Sequence, residues 1–355
     1  MSMNDDKYFE AYNDLEVHHL MLKDHPRTQA YKDAIMRNPS LFRNKIVMDV
    51  GSGTGILSLF CARAGAKKVY AVEASTKMAK LCQEIVKENG YEETIEVIQD
   101  QVENIQPHLK VDIIVSEWMG FYLLHESMLD SVIFARDNFL RQPEGILFPS
   151  HARIYAAPCS LSTLYKNDIN FWDNVYGFSM NSVKNSMMLS KVSKPQILDV
   201  ASDDILSEPV VIAEFDLAWM DPYDLQCFSS RKFISISKTG KHHGLCIWFD
   251  VDFRFDHYQN VTLSTSPMAP STHWKQTVLV LPSPSDVEEG DILGWEMTFK
   301  QDDKNKRHYL ITYGGLDPEI EDHPMPCCCQ SVRCTLIAEM LKKEEEELGC
   351  EIFDV

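Results

Sequence analysis

The chain has 355 residues, is 45% apolar and 25% charged, and carries a formal net charge of -19. That length suits two domains, or one domain with a large elaboration, and the composition supplies ample material for a core. An acidic surface repels phosphate backbones, which argues against direct nucleic-acid binding and favours cationic partners, although acidity also serves solubility alone. The first residues, MSMNDDKYFE, lack the charged-then-apolar pattern of a secretory signal, and no apolar run reaches bilayer length, so no membrane partner is expected.

Residues 5–37 show apolar and aromatic positions at helical spacing, with Pro26 separating two helices. KIVMDV (45–50) is a continuous apolar run, as expected of a strand buried on both faces. A glycine-rich turn, a helix over 55–64, a strand VYAVEA (69–74), a helix over 76–89, strands IEVIQD (95–100) and VDIIVSE (111–117), and a helix over 127–139 follow. Strands alternating with helices imply a parallel sheet with right-handed crossovers. After Pro149 the segments RIYAAP, VVIAEF, KFISIS, LCIWFDVDFRF, NVTLST, QTVLVL and LGWEMTF are strand-like with no long helices between them. This half reads as an antiparallel sandwich or barrel, interrupted by an aromatic, largely helical insertion at 161–190. From about 338 the KKEEEEL-rich tail reads as a short acidic helix or a disordered segment.

Ten cysteines are present, and Cys61, Cys82, Cys159, Cys227 and Cys246 sit singly in apolar segments, as reduced core thiols do. Cys327, Cys328, Cys329 and Cys334 lack the paired CxxC spacing of a zinc site. Three adjacent side chains cannot easily all face one ion, so no metal is expected.

DVGSGTG (49–55) follows the first strand and opens a helix. Gly51, Gly53 and Gly55 let the backbone turn tightly and approach a ligand, and the following helix N-terminus offers free N–H groups to an anionic group. A dinucleotide-binding fold is the rival reading, and a purely structural turn a second one. Glu73, ending the second strand, can accept both hydroxyls of a ribose. The spacing GxGxG, in place of GxGxxG, favours S-adenosylmethionine. Glu103 is placed to accept from an adenine amino group, or is a helix-start charge; Arg27 is placed to pair with the cofactor's carboxylate.

SEWMGFYLLHESM (116–128) carries two glutamates, Glu117 and Glu126, in an apolar loop at the C-terminal end of a parallel strand, where open α/β sheets bind ligands. Two carboxylates among Trp118, Met119, Phe121, Tyr122, Leu123 and Leu124 are costly unless a cation satisfies them. A guanidinium is planar and delocalised, and pairs bidentately with carboxylates.

These segments, with VMDVGSGTGILS upstream and STHWKQT (271–277) downstream, resemble the double-glutamate, cofactor and THW loops of the protein arginine methyltransferases. The resemblance runs from YFEAY (8–12) and MLKDHPRT (21–28) through LFPSHA (147–152) and FWDNVYGF (171–178) to 277, about 300 residues, and fades towards the C-terminus. It implies N-terminal helices closing over the cofactor (1–40), a Rossmann-like methyltransferase domain (41–150), and a β-barrel substrate domain (151–337). A helical dimerisation arm at 161–190, with exposed Phe171, Trp172 and Tyr176, and an acidic tail (338–355) complete the expected layout.

The resemblance implies transfer of methyl groups from S-adenosylmethionine to protein arginines. Glu117 and Glu126 would hold the guanidinium, and Asp24 paired with His273 would offer a proton route. Arg27, Asp49, Gly51, Gly53, Gly55, Glu73 and Glu103 would bind the cofactor. Tyr12, His18, Met21 and Met128 would join them, the two methionines also lining the arginine pocket. Tyr8, Phe9 and Tyr12 would lie on the closing helix, with Tyr8 and Trp274 beside the substrate. Met21 and the THW loop resemble the class that makes asymmetric dimethylarginine. The implied partners are histone tails, Arg/Gly-rich RNA-binding proteins and a second copy of the chain, in cytoplasm and nucleus. Phe121, His19 and Leu20 depart from the family pattern near the site. The alternative is a catalytically weak scaffold that binds arginine-rich partners.

Overall fold

The computed structural model describes Tyr8, residues 10–106 and residues 109–351, the last eight of these by backbone alone. Phe9, assigned above to the closing helix, lies outside the described residues.

After helical residues at Tyr8, Glu10 and Ala11 come two helices, α1 (Leu15–Lys23) and α2 (His25–Met36). One residue, Asp24, makes their junction. It is the C-cap of α1, and its side chain accepts from the Arg27 N–H at the start of α2, with Pro26 in the first turn. An Asp-x-Pro sequence stops one helix and starts the next because the carboxylate satisfies an orphan N–H and Pro lacks one. A single turn, α3 (Pro39–Phe42), leads into the sheet.

The first sheet is wholly parallel, in the order β3 (Ile95–Gln99), β2 (Lys68–Glu73), β1 (Ile46–Val50), β4 (Ile113–Val115), β5 (Ile146–Phe148). Helices α4 (Ile56–Arg63), α5 (Thr76–Glu88) and α6 (Met128–Phe139) make crossovers. The winding reverses between β1 and β4, so the loops leaving these strands diverge and open a crevice at their C-terminal ends. Ser116 Oγ–H donates to Val50 O at 2.8 Å, locking the two strand ends together below the crevice.

The named strands of the second half all pair antiparallel. One sheet has the order β7 (Gln196–Leu198), β12 (Gln276–Val287), β10 (Gly240–Phe253), β6 (His151–Cys159), β8 (Val210–Asp216), with β11 (Val261–Ser264) also on β10. The other is β14 (Tyr309–Leu316), β13 (Ile292–Gln301), β9 (Cys227–Ser235). The expected antiparallel sandwich or barrel takes the form of two sheets that do not close by hydrogen bonding, since β8 and β9 are not hydrogen-bonded neighbours. Cys227 is corrected too. At the start of β9, on a strand whose side chains alternate outward and inward, it is exposed.

The two halves share one apolar core. Tyr31 of α2 meets Phe253 edge-on at 4.9 Å, Phe253 lies 5.2 Å from Phe148 of β5, and Phe148 meets Phe42 edge-on at 5.2 Å. All four rings are at most 1% exposed, so each contributes roughly 1.5–3 kcal/mol of burial across the domain boundary.

Helical turns over 162–173 and α7 (Asn181–Val192) form the insertion. Its root packs Leu164, Tyr165, Met188 and Val192 against a buried cluster that includes Trp248 and Val278, while its tip leaves Phe171, Tyr176 and Phe178 exposed. Trp172 is half-buried, edge-on to Phe171 at 5.1 Å. The C-terminal helix, α8 (Val332–Glu351), begins before the anticipated tail boundary at 338. Among the described residues no helix is long and apolar enough to cross a membrane.

Candidate active site

The crevice between β1 and β4 is a cavity of about 300 Å³, closed by α1 on one side and by the loop at 272–274 on the other. Its size falls at the small end of ordinary ligand sites. On the β1 side, Gly51, Gly53 and Gly55 all have positive φ, at +74°, +53° and +81°. At Gly51 the reason is doubled, because a Cβ there would stand 2.3 Å from Met128 Cε on the cavity wall. Gly51 and Gly53 line the cavity; Gly55, the N-cap of α4, and Asp49 do not. Asp49 lies fully buried in β1 and accepts from Ser58 Oγ–H of α4 at 2.6 Å. These two residues shape the cofactor loop from below and do not touch the space above it. Burial pushes the Asp49 carboxyl up to about 7.

Glu73 stands at the end of β2, buried. Its oxygens accept from the N–H groups of Gly53, at 2.8 Å, and Ser75, at 2.7 Å. Burial raises its pKa, partly opposed by those bonds. Glu103, in a short helical turn over 102–104, borders the same end of the cavity and accepts from Ser131 Oγ–H at 2.6 Å. A carboxylate at a β2 end and glycines at a β1 end fit a nucleoside-bearing ligand lying across the strand edge. His18, Met21 and Met128 also line the wall, and His18 Nε2–H donates to Tyr12 O at 2.9 Å.

Glu117 and Glu126 both line the cavity from the β4 side. The backbone that carries them is unusual: Tyr122, Leu123, Glu126 and Ser127 all have positive φ. Such conformations cost non-glycine residues free energy and cluster at functional loops. The loop is held from outside. Arg307, in the turn between β13 and β14, accepts the Glu126 N–H on its carbonyl at 2.7 Å and donates from Nη1 to Glu126 O at 3.0 Å. Its guanidinium lies 3.8 Å over the Tyr8 ring. Tyr12 Oη–H donates to Glu126 Oε2 at 2.6 Å, and the Tyr8 and Tyr12 rings are 4.9 Å apart. Burial raises the Glu126 pKa; the Tyr12 bond opposes it, the Glu117 charge adds to it, and Arg307 opposes it.

Arg27 lines the cavity beside Glu117. Its guanidinium grips Glu117, with Nε and Nη2 both on Oε2 at 2.8 and 2.6 Å, and Nη1–H donates to Met21 O at 3.0 Å. Both side chains are more than nine-tenths buried. Arg27 satisfies the glutamate, since a buried carboxylate is costly to leave unpaired.

Asp24 joins the THW loop to the helix junction. Its Oδ2 accepts from the His273 backbone N–H at 2.8 Å and from Nδ1–H at 2.6 Å, while Oδ1 accepts from Arg27 N–H at 3.1 Å. A carboxylate only accepts, so the proton sits on Nδ1 and Nε2 is left for acid–base work. Burial pushes the Asp24 carboxyl up, but the His273 and Arg27 bonds outweigh it and hold it below the ordinary range. Trp274, buried beside the cavity, donates from Nε1 to Met119 O at 3.0 Å. The indole N–H of Trp118, also on the wall, is buried with no acceptor among the described residues.

The structure thus gathers fourteen of the seventeen predicted site residues around one cavity, sets Asp24 behind His273, and places Asp49 and Gly55 beneath the glycine loop. Sequence reasoning missed Arg307, whose setting, QDDKNKRH, has the composition of a solvated turn.

Residues 150–314 match the family model described as the arginine methyltransferase oligomerization subdomain, and residues 47–142 match a methyltransferase domain model. The chain is 38% identical over 343 residues to the probable protein arginine N-methyltransferase 6.1 of Oryza sativa subsp. japonica, covering 89% of this chain and 87% of that protein. It is 43% identical over 321 residues to protein arginine N-methyltransferase 1 of Schizosaccharomyces pombe, covering 89% and 92%. Among solved structures, it matches the Trypanosoma brucei PRMT1 enzyme–prozyme heterotetrameric complex with AdoHcy at a TM-score of 0.79 and 37% identity, over 88% of this chain and 98% of that one.

Proposed function

The chain belongs to the protein arginine N-methyltransferase family, whose cofactor is S-adenosylmethionine, and from that premise we propose that it converts arginines in Arg/Gly-rich segments to mono- and asymmetric dimethylarginine. The observation that carries the reading is the pair Glu117 and Glu126 on one wall of a cavity whose opposite wall is the glycine loop. Glu73, Gly51 and Gly53 fit the nucleoside end of the cofactor, which when bound supplies an electrophilic methyl group.

The chain's own residues then do three things. Glu117 and Glu126 hold a guanidinium by two charge-assisted contacts and draw its positive charge away from the nitrogen facing the glycine loop, freeing that nitrogen's lone pair. Trp274, Met21 and Met128 exclude water and fix the angle of approach. His273, its Nδ1 proton held by Asp24, can accept the departing proton on Nε2. A scaffold that only bound arginine would need none of the groups at the β1 and β2 ends.

The net charge of -19 suits cationic tails, of which histone tails and Arg/Gly-rich RNA-binding proteins are the matching chemistry, and an enzyme acting on both works in nucleus and cytoplasm. The exposed aromatic tip of the insertion, with Tyr176 at 98% and Phe178 at 71%, suits docking on a second copy, because such patches are seldom left in water. The test uses labelled S-adenosylmethionine with an Arg/Gly-rich peptide and its Arg→Lys counterpart. Label in the first alone, recovered after hydrolysis as asymmetric dimethylarginine, is expected. Symmetric product would overturn the product assignment, and equal labelling of both peptides the acceptor.

A further inference from the structure

We propose that His323, Cys327, Cys329 and Cys334 form a tetrahedral site for one zinc ion that staples the C-terminal segment to the second domain. The proposal is independent of the methyl-transfer site. The four ligand atoms all lie within 4.8 Å of one another. His323 Nδ1 stands 3.6 Å from Cys327 Sγ, 3.3 Å from Cys329 Sγ and 3.3 Å from Cys334 Sγ. A tetrahedral ion with Zn–S of about 2.3 Å and Zn–N of about 2.0 Å separates nitrogen from sulfur by roughly 3.6 Å, so the observed set needs only small adjustments to take one.

The spacing looked wrong for zinc because three of the cysteines are adjacent. Extended backbone resolves it. Cys328 makes a parallel bridge to Ile234 of β9, and alternate residues of an extended segment face the same side. Cys327 and Cys329 therefore turn inward, Cys328 is exposed, and the chain's return supplies Cys334 from the first turn of α8. The fourth ligand comes from His323, which a search of cysteine spacing alone does not find.

The surroundings are those of a ligand histidine. Its other nitrogen, Nε2, donates to Pro318 O at 3.0 Å, which fixes the tautomer with the Nδ1 lone pair towards the three sulfurs. The ring stacks on buried Phe233 of β9 at 3.8 Å and 12°. The Ser331 N–H donates to Cys329 Sγ at 3.5 Å, a contact that suits a thiolate. Cys329 and Cys334 are buried with Phe233, in a cluster separate from the main core. Three soft sulfurs and one imidazole in a closed tetrahedron select zinc over hard cations such as magnesium or calcium. The ion would gain a fourfold anchor, and α8 would gain a fixed start.

The full chain, purified without chelator and desalted, would be measured for metal by mass spectrometry. One zinc per chain is expected, retained in Cys328→Ser and reduced at least tenfold in Cys329→Ser and His323→Ala. Should those variants fail to fold, the native chain still decides. Titration of its thiols with a mercurial should release zinc in proportion, and exchange with Co2+ should give the intense visible absorption of a tetrahedral thiolate complex. Stoichiometric iron or copper in place of zinc overturns the proposal. So does a native chain that holds and takes up less than a tenth of an equivalent, or one whose mass shows a disulfide among these cysteines after purification under argon.

Discussion

Replacing Glu126 by Gln separates catalysis from stability with unusual clarity. The substitution keeps shape and keeps an acceptor for Tyr12 Oη–H, which now donates at 2.6 Å. It removes one of two carboxylates that would face a substrate guanidinium. At about 4 Å and an effective dielectric of about 20, that attraction is worth roughly 4 kcal/mol. A neutral amide oxygen recovers about 1 kcal/mol of it as an ordinary hydrogen bond. The remaining loss of about 3 kcal/mol corresponds to between 10² and 10³ in kcat/KM. Stability should move the other way. Burial and the Glu117 charge raise the Glu126 pKa, so its ionised form opposes folding above the ordinary carboxylate range, and the neutral amide relieves that at pH 7. The assay is methyl transfer to the Arg/Gly-rich peptide beside thermal unfolding and cofactor binding measured separately. A loss below fivefold, or a large loss accompanied by an equal fall in cofactor affinity, would refute the assignment of Glu126 to the guanidinium.

Asp24→Asn should destabilise the chain by about 1.5–3 kcal/mol at pH 7, because hydrogen bonds to a charged acceptor are lost. Asp24 has a lowered folded pKa, so its contribution is present above 3.8 and disappears as pH falls through the folded value; denaturant curves of the two chains should converge there and stay apart at pH 7. Gly51→Ala should weaken cofactor binding at least tenfold by calorimetry, and adding Met128→Ala should restore only part, since φ of +74° strains any side chain whatever the space. Full recovery in the double variant would show that crowding alone was responsible. Tyr176→Asp with Phe178→Asp should turn a sedimenting dimer into a folded monomer; an unchanged sedimentation coefficient would dismiss the arm as the interface.

The parallel domain was legible because its strands are short apolar runs separated by amphipathic helices. The prediction for β1 missed its start by one residue and α5 its end by one. Polarity identified Glu117 and Glu126, since carboxylates among six apolar neighbours need a reason. The choice between sandwich and barrel for the second half was not legible. Alternation tells which face of a strand is buried but not whether the outermost strands, β8 and β9, complete a ladder. Asp49 and Gly55 carry the same local signal as their neighbours, and only three-dimensional placement puts them under the loop. Arg307 and His323 share a different difficulty. Each acts across more than 85 residues of sequence, on Glu126 and on Phe233, from segments rich in charge and turn formers.

The grip of Arg27 on Glu117 bears on the order in which ligands arrive. Both bonds end on Oε2, so an incoming guanidinium meets a carboxylate already half-committed to a resident one of identical chemistry. A peptide offered to the chain alone has to compete with a cation that is tethered and therefore never diffuses away. Anything anionic that engages Arg27 from the cofactor side weakens that competitor.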